Sequence, residues 1–431
     1  MTRPRLYPGA RPRRTAVARS IGRNRRTAFS IAAVALAAVL VIALCVLAVN
    51  SRESLRHATQ SDAAGWFLET VDNSGNTGWY TSIEVDTSDF AHIAYCCYPP
   101  SAEEDLMYAN NSGGSWACQT LYSDGSVGSY ASIALDADDK VHISYLNSTD
   151  GDLNYATNAG GSWENYTLDS LGSTGAFSSI AVDSGGNVHI SYYDGSTKTL
   201  NYVTNAGGSW VIDELDGSFA LDTGQHTSIA VDSNDNVHIS YYSVIAHDLK
   251  YATNAGGSWK DYTLDRYGDV GQHTSIAVDT NGYAHISYYN YSARDLKYAT
   301  NSGGSWANYT IHSANDVGMF SSIDLDAGNN VHISYSDETF GHLMYATNAG
   351  GSWATYVLDS TAWVGSYNSI AVDSAGCVHI SYFDMTNTAL KYATNSVVIP
   401  EFGAAGLAII VMATVCLLAT LRRASTPRNR E

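Results

Sequence analysis

Seven of the thirteen histidines share one recurring context, an "HI" dipeptide: His92, His142, His189, His238, His285, His332 and His379. Imidazoles repeated in this way would act as metal ligands or proton carriers if they converged, because histidine titrates near neutral pH and readily ligates metals. A second set is less uniform. Two residues before the serine of each "SI" dipeptide stands an aromatic ring or an imidazole: Tyr80, Tyr130, Phe177, His226, His273, Phe320 and Tyr367. Such rings form stacking platforms for a sugar or a peptide. His226 and His273, each inside "GQHTSI", are where a metal reading would begin, but no third ligand accompanies them, so neither a metal nor any other cofactor is expected. Carboxylates fit for acid and base work include Glu103, Glu104, Asp337 and Glu338, with no spacing that singles out a pair.

The elements that must position these residues follow from a repeat. Trp66, Trp116, Trp163, Trp210, Trp259, Trp306 and Trp353 lie 50, 47, 47, 49, 47 and 47 residues apart, and "SI" and "HI" recur between them. Each copy holds four short runs rich in Ile, Val, Tyr and Thr, separated by Gly, Asn, Asp and Ser clusters and without helical period. Four antiparallel strands per unit, repeated seven times, predict an all-β fold: a seven-bladed β-propeller over residues 65–396. Both faces of a blade are covered by its neighbours, so the "HI" histidines are expected between blades as structural residues with hydrogen-bonded rings. The aspartates that open each first turn, from Asp86 to Asp373, are expected to cap backbone amides rather than bind calcium.

"SIAVDSNDNVHISYY" resembles the opening of NHL-type propeller repeats, and the whole unit resembles repeats of microbial surface proteins. The resemblance implies that "TSIAVD" is the innermost strand A, "VHISYY" strand B, "LKYATN" strand C and "SWxxYTLD" strand D. In that order the first copy begins with a lone D strand, "GWFLETVD" at 65–72, which should complete the seventh blade beside residues 390–395. The ring residues from Tyr80 to Tyr367 would then circle the channel mouth on the face that carries the variable B–C loops. Closing "GSW" strands also resemble fucose-type lectins, although the Arg of their sugar sites is lacking in most copies. Sialidases, by contrast, grip a carboxylate with three arginines, and the blades contain only Arg266 and Arg294. The expectation is therefore a binding or scaffold module, with carbohydrate or an envelope polysaccharide as ligand, and not an enzyme. The alternatives are a propeller glycan hydrolase or lyase and a purely structural envelope protein.

Charge and the chain ends bear on location. The net charge is −19, yet nine arginines crowd residues 3–26 and four more follow residue 421. Only eight basic residues face 39 acids between positions 57 and 400, which excludes nucleic acid as a partner. Apolar runs at 28–49 and 404–421 border the arginine clusters and read as membrane segments, the first a signal anchor or a signal peptide, so the basic tails 1–27 and 422–431 are expected in the cytoplasm and the propeller outside. Residues 50–64 and 397–403 read as linkers. The second contains Pro400, Glu401, Phe402 and Gly403, and "IPEFG" before an apolar helix and arginines resembles the PEF-type sorting signals cut by archaeosortases in archaeal surface proteins. Sequons at Asn110, Asn147, Asn165, Asn290 and Asn308 suit an external glycoprotein. Oligomeric state leaves no trace in the sequence.

Overall fold

The computed structural model describes residues 58–60, 65–98, 103–217 and 222–396. The apolar runs at 28–49 and 404–421, the basic tails and the PEFG stretch lie outside the described residues. No helix among the described residues is long and apolar enough to cross a membrane.

The described chain forms seven antiparallel sheets, six of four strands and one of five. The fifth blade represents the others: strand A is Val270–Val278, B is Ala284–Asn290, C is Asp295–Thr300 and D is Ala307–His312. Every A strand contacts the A strand of the next blade, and the last, Val364–Val372, closes on the first, Asn76–Val85. Burial follows this order. B strands are buried along nearly their whole length, whereas D strands expose their outer residues at the rim. The ring is closed as the repeat phase predicts. Phe67–Asp72 pairs with Ala389–Thr394, from Phe67 opposite Thr394 to Asp72 opposite Leu390, so the earliest complete strand serves as the D strand of the last blade. One feature departs from the sequence reading: Ala58–Gln60, inside the stretch read as linker, adds a fifth strand outside Phe67–Asp72.

Blade-to-blade contacts are built from the repeated residues. In each copy the "HI" imidazole is buried between strands B and C, and its Nδ1 accepts a hydrogen bond from the C-strand tyrosine hydroxyl. His285, 5% exposed, pairs with Tyr298 at 2.5 Å. The opposite nitrogen, Nε2, faces the aspartate that opens the A–B turn, as in His189 to Asp183 at 3.2 Å and His379 to Asp373 at 3.1 Å. In the His285 copy this separation stretches to 3.5 Å, and Nε2 has no hydrogen-bond partner. The expectation that every ring nitrogen is satisfied is corrected there. The same aspartates cap the turn, since Asp279 Oδ1 accepts from the Asn281 and Tyr283 amides.

The C-strand tyrosine also meets, edge-on, the ruler tryptophan of the following blade, with ring centroids 4.9 to 5.3 Å apart in all seven copies. Asp, His, Tyr and Trp thus form one chain of contacts per interface. In six of the seven blades a second staple joins the first tyrosine of the B strand to the end of the preceding D strand: Tyr288 donates to Asp265 at 2.8 Å and Tyr192 to Asp169 at 2.7 Å, whereas Tyr145 donates to Asn165 of its own blade. In three interfaces a lysine joins the same carboxylate, pairing Lys250 with Asp216, Lys297 with Asp265 and Lys391 with Asp359. These charges are buried and paired, so removing one partner alone is costly.

Candidate functional site

The site is built on the first residues of each A strand. A glycine of positive φ, such as Gly224 at +105°, lets the backbone pass so close to the neighbouring C strand that an added Cβ would lie 2.7 Å from Leu200 Cα. The same approach recurs at Gly78, Gly128, Gly175, Gly271, Gly318 and Gly365, each against a leucine. Two residues later the mouth residue sits in a β-bulge, and in all seven copies it holds a left-handed φ of 50° to 55°. A bulge of this kind re-aims a side chain at a cost of about 1 kcal/mol or more. Here it turns every ring toward the axis.

The structure brings all seven predicted mouth residues together. Neighbouring ring centroids are 4.6 to 4.8 Å apart around the whole circle, from Tyr80 through Tyr130, Phe177, His226, His273, Phe320 and Tyr367 back to Tyr80. A regular heptagon with that edge places each centroid about 5.4 Å from the axis, and neighbouring rings are tilted 45° to 60° to one another. A cavity of about 190 Å³ opens here, lined by these rings and by the residues that follow them. Those following residues fasten the ring to the B strands: Thr227 donates to Ser191 Oγ at 2.9 Å and Thr274 to Ser240 Oγ at 2.9 Å. Below them, the serine of each "SI" accepts the isoleucine amide of the next blade at 3.2 Å, a hydrogen-bonded circle of seven.

The circle is chemically lopsided. Tyr367, Tyr80 and Tyr130 form one arc, His226 and His273 the facing arc, and Phe177 and Phe320 separate them. Burial, reinforced by neighbouring tyrosines, pushes the Tyr80 phenol far above its usual range, and burial raises Tyr130 and Tyr367 as well. These hydroxyls stay protonated. Burial lowers His273 to about 4, and burial together with the adjacent His273 holds His226 well below 6.5. Both imidazoles are neutral at pH 7. Neither has a hydrogen-bond partner among the described residues, and neither is sealed away as a buried orphan, so their nitrogens address the cavity.

Two further channel residues escaped the sequence reading. Glu84 and Asp324 occupy the A-strand position that is alanine in the other five blades, at Ala134, Ala181, Ala230, Ala277 and Ala371. Burial and then the Asp324 charge raise Glu84 to about 8, and burial raises Asp324 to about 6. The only signal was a charge where the repeat has a methyl group. Of the carboxylates singled out from sequence, Glu103 is exposed and the other three are engaged elsewhere. Glu104 accepts from Tyr98 at 2.6 Å and Ser129 at 2.5 Å, Asp337 caps the Thr339 and Phe340 amides, and Glu338 accepts from Ser336 at 2.7 Å. Among the described residues no three His, Cys, Asp or Glu side chains are grouped to hold a metal ion. The described cysteines Cys96, Cys97, Cys118 and Cys377 are free.

Of the sequons, Asn165 and Asn308 are exposed and Asn110 is half-buried. Asn147 and Asn290 are buried, with their side chains used in turns: Asn147 donates to Asp150 at 3.0 Å and Asn290 accepts from the Ala293 amide at 3.1 Å. The folded chain offers no room for a glycan at these two.

No protein-family model matches the chain, and no curated protein does. Solved structures do share its shape. A protein of unknown function from Dyadobacter fermentans is 10% identical, with a TM-score of 0.51, over 77% of this chain and 99% of that one. A polysaccharide lyase described as an ulvan lyase is 12% identical, with a TM-score of 0.49, over 77% and 97%. An α-L-arabinofuranosidase from Fusarium graminearum is 12% identical, with a TM-score of 0.42, over 61% and 91%. Two of these neighbours are a lyase and a glycosidase by name, so the propeller fold gives the expectation of a non-enzyme no support. Identities this low establish the shared propeller alone, so activity has to be argued from the site.

Proposed function

We propose that this propeller cleaves a glycan at the aromatic mouth, by elimination rather than hydrolysis. The observation that carries the reading is the pair of neutral, unpartnered imidazoles facing three protonated tyrosines across one cavity. Hydrolysis of glycosides ordinarily needs two carboxyl groups flanking the bond, and the mouth circle contains none. Elimination needs a base and a hydroxyl acid. An imidazole takes the proton next to a sugar carboxylate, the C–H pair becomes a C=C bond, the glycosidic C–O bond breaks, and a tyrosine hydroxyl protonates the leaving oxygen. His273 at about 4 is a weak base in the free protein. A bound uronate carboxylate would raise it toward neutrality, because a nearby negative charge favours the imidazolium.

The test is to incubate the full-length protein with polygalacturonate, hyaluronan, alginate, arabinoxylan and hydroxyethylcellulose. Ultraviolet absorbance reports the conjugated product and reducing ends report any cleavage. A uronate polymer should yield both signals, with kcat/KM falling as pH drops through about 4, where His273 becomes protonated. The variant carrying His226→Gln and His273→Gln should lose at least about 100-fold, the usual contribution of acid–base catalysis. Reducing ends without absorbance would replace elimination by hydrolysis. A glycan held but never cut would return the protein to the binding modules. We also propose display outside the cell by the apolar runs at 28–49 and 404–421; digestion of both arginine tails in sealed, right-side-out vesicles would refute that orientation.

A further inference from the structure

The face that carries the mouth also bears a group of side chains present in three successive blades and absent from the other four. Between the third and fourth blades, Tyr193 donates to Asp222 Oδ1 at 2.8 Å while Lys198 Nζ lies 3.3 Å from Oδ2. Between the fourth and fifth, Tyr242 donates to Asp269 Oδ1 at 2.7 Å and His247 Nδ1 lies 3.5 Å from Oδ2. Between the fifth and sixth, Tyr289 donates to Asp316 Oδ1 at 2.6 Å and Arg294 Nη1 lies 3.7 Å from Oδ2. At the tyrosine position the remaining blades carry Cys96, Leu146, Ser336 and Phe383, and at the aspartate position Asn76, Ser126, Ser173 and Trp363. The fold therefore does not need the group.

Its geometry is costly where it occurs. Lys198, His247 and Arg294 hold left-handed φ values of 59°, 59° and 63° at the tip of the B–C turn. The second and sixth blades solve the same turn with Gly151 and Gly341, and the seventh places Thr388 there at 51°. A long, basic side chain in a conformation that suits glycine costs about 1–2 kcal/mol, and such strain gathers at functional sites. The three side chains are 44%, 56% and 68% exposed while their carboxylates are 10%, 21% and 20% exposed, so the basic end is presented and the acid is held. Each tyrosine also meets a mouth residue edge-on: Tyr193 with Phe177, Tyr242 with His226 and Tyr289 with His273, at 6.3 to 6.4 Å.

We propose that these three groups are tandem subsites for successive sugar units of a polyhydroxylated chain, laid over blades three to five beside the imidazole arc. Resting on the glycan reading of the mouth, this assigns the approach path of the same substrate. Adjacent sugar hydroxyls each donate and accept, and a carboxylate next to a basic nitrogen supplies one partner for each role. At Lys198 and Arg294 the pairing also cancels local charge, so neutral and anionic chains are both admitted. A one-seventh turn between copies sets a fixed interval, which suits a polymer better than a monosaccharide.

The test variant is Lys198→Gly, His247→Gly and Arg294→Gly combined. Glycine is the residue that the second and sixth blades use in this turn, so the variant is expected to fold with an unchanged or higher melting temperature. Affinity of the full-length protein for polygalacturonate, hyaluronan and arabinoxylan is measured by calorimetry, and cleavage of long chains is compared with cleavage of trimers. The expected result is a rise of at least tenfold in Kd and KM for the long chain that the wild type binds, with kcat and trimer cleavage unchanged. Wild-type affinity for long chains in the triple variant would overturn the subsites even if cleavage stands. Long-chain binding lost in the triple variant, with no cleavage by any form, would retain the subsites and reject the mouth chemistry. A wild type that binds none of the three polymers overturns both.

Discussion

Replacement of Gly224 by alanine tests the geometry on which the mouth depends. At φ +105° an L-residue is strained by about 1–2 kcal/mol. The new methyl group would also stand 2.7 Å from Leu200 Cα, 2.9 Å from its amide nitrogen and 3.0 Å from its Cβ. The first two contacts are with backbone, which cannot swing aside, so the two blades must part; overpacking of this kind costs about 1–3 kcal/mol. The sum is about 2–5 kcal/mol. With an unfolding entropy of about 2.1 cal/mol/K per residue, a domain of this size loses about 3–7 °C in Tm. Gly207 is the control, since it has no positive φ and no atom within 4 Å of an added Cβ. Calorimetric scans of both variants should separate them by several degrees. Because His226 follows two residues later, G224A should also lower glycan cleavage by more than its loss of stability accounts for. A Gly224→Ala melting point within a degree of that of Gly207→Ala would refute the close-approach reasoning.

Acid should unfold the propeller cooperatively. Burial lowers His142, His238, His285, His332 and His379, so the unfolded chain takes up protons first as pH falls below 6.5, and stability drops at up to about 1.4 kcal/mol per pH unit for each. Burial pushes Asp136 and Asp232 up, but hydrogen bonds from turn amides and from His outweigh it and hold them below 3.8, which extends the loss to lower pH. Urea midpoints that stay level from pH 7 to pH 4 would contradict this. Glu84 acts in the opposite sense: held at about 8 in the fold, it binds a proton that the unfolded chain releases above 4.5, so stability declines as pH rises toward 8. Glu84→Ala, the residue of five other blades, should raise Tm more at pH 8.5 than at pH 5, and an equal change at both would refute the assignment. Ring closure is tested by Leu68→Ala, which opens a cavity beside Leu343 and Leu358 at a residue 1% exposed and should cost about 2–5 kcal/mol. Phe67→Ala, on the exposed side of the same strand, should cost under 1 kcal/mol in the same urea titration.

The architecture was legible in the chain, because a propeller is one supersecondary unit repeated. Trp, "SI" and "HI" at near-constant spacing set the number of blades, the strand order and the exchange that places Phe67–Asp72 in the last blade. It also located the mouth circle, since the strand order puts the residue two before each "SI" serine at the start of the innermost strand. What repetition could not reveal is which copies depart from it in concert. His226 faces tyrosines that lie two or three blades away in sequence, and only ring closure sets them across one cavity. Tyr242, near the end of its B strand, and Asp269, just before the next A strand, are 27 residues apart, and they meet because neighbouring blades share an edge. Glu84 and Asp324 are separated by most of the chain, yet the channel couples their charges. Period and pattern are local properties of a chain; polar chemistry at a mouth depends on distance in space, and that is decided when the last blade closes on the first.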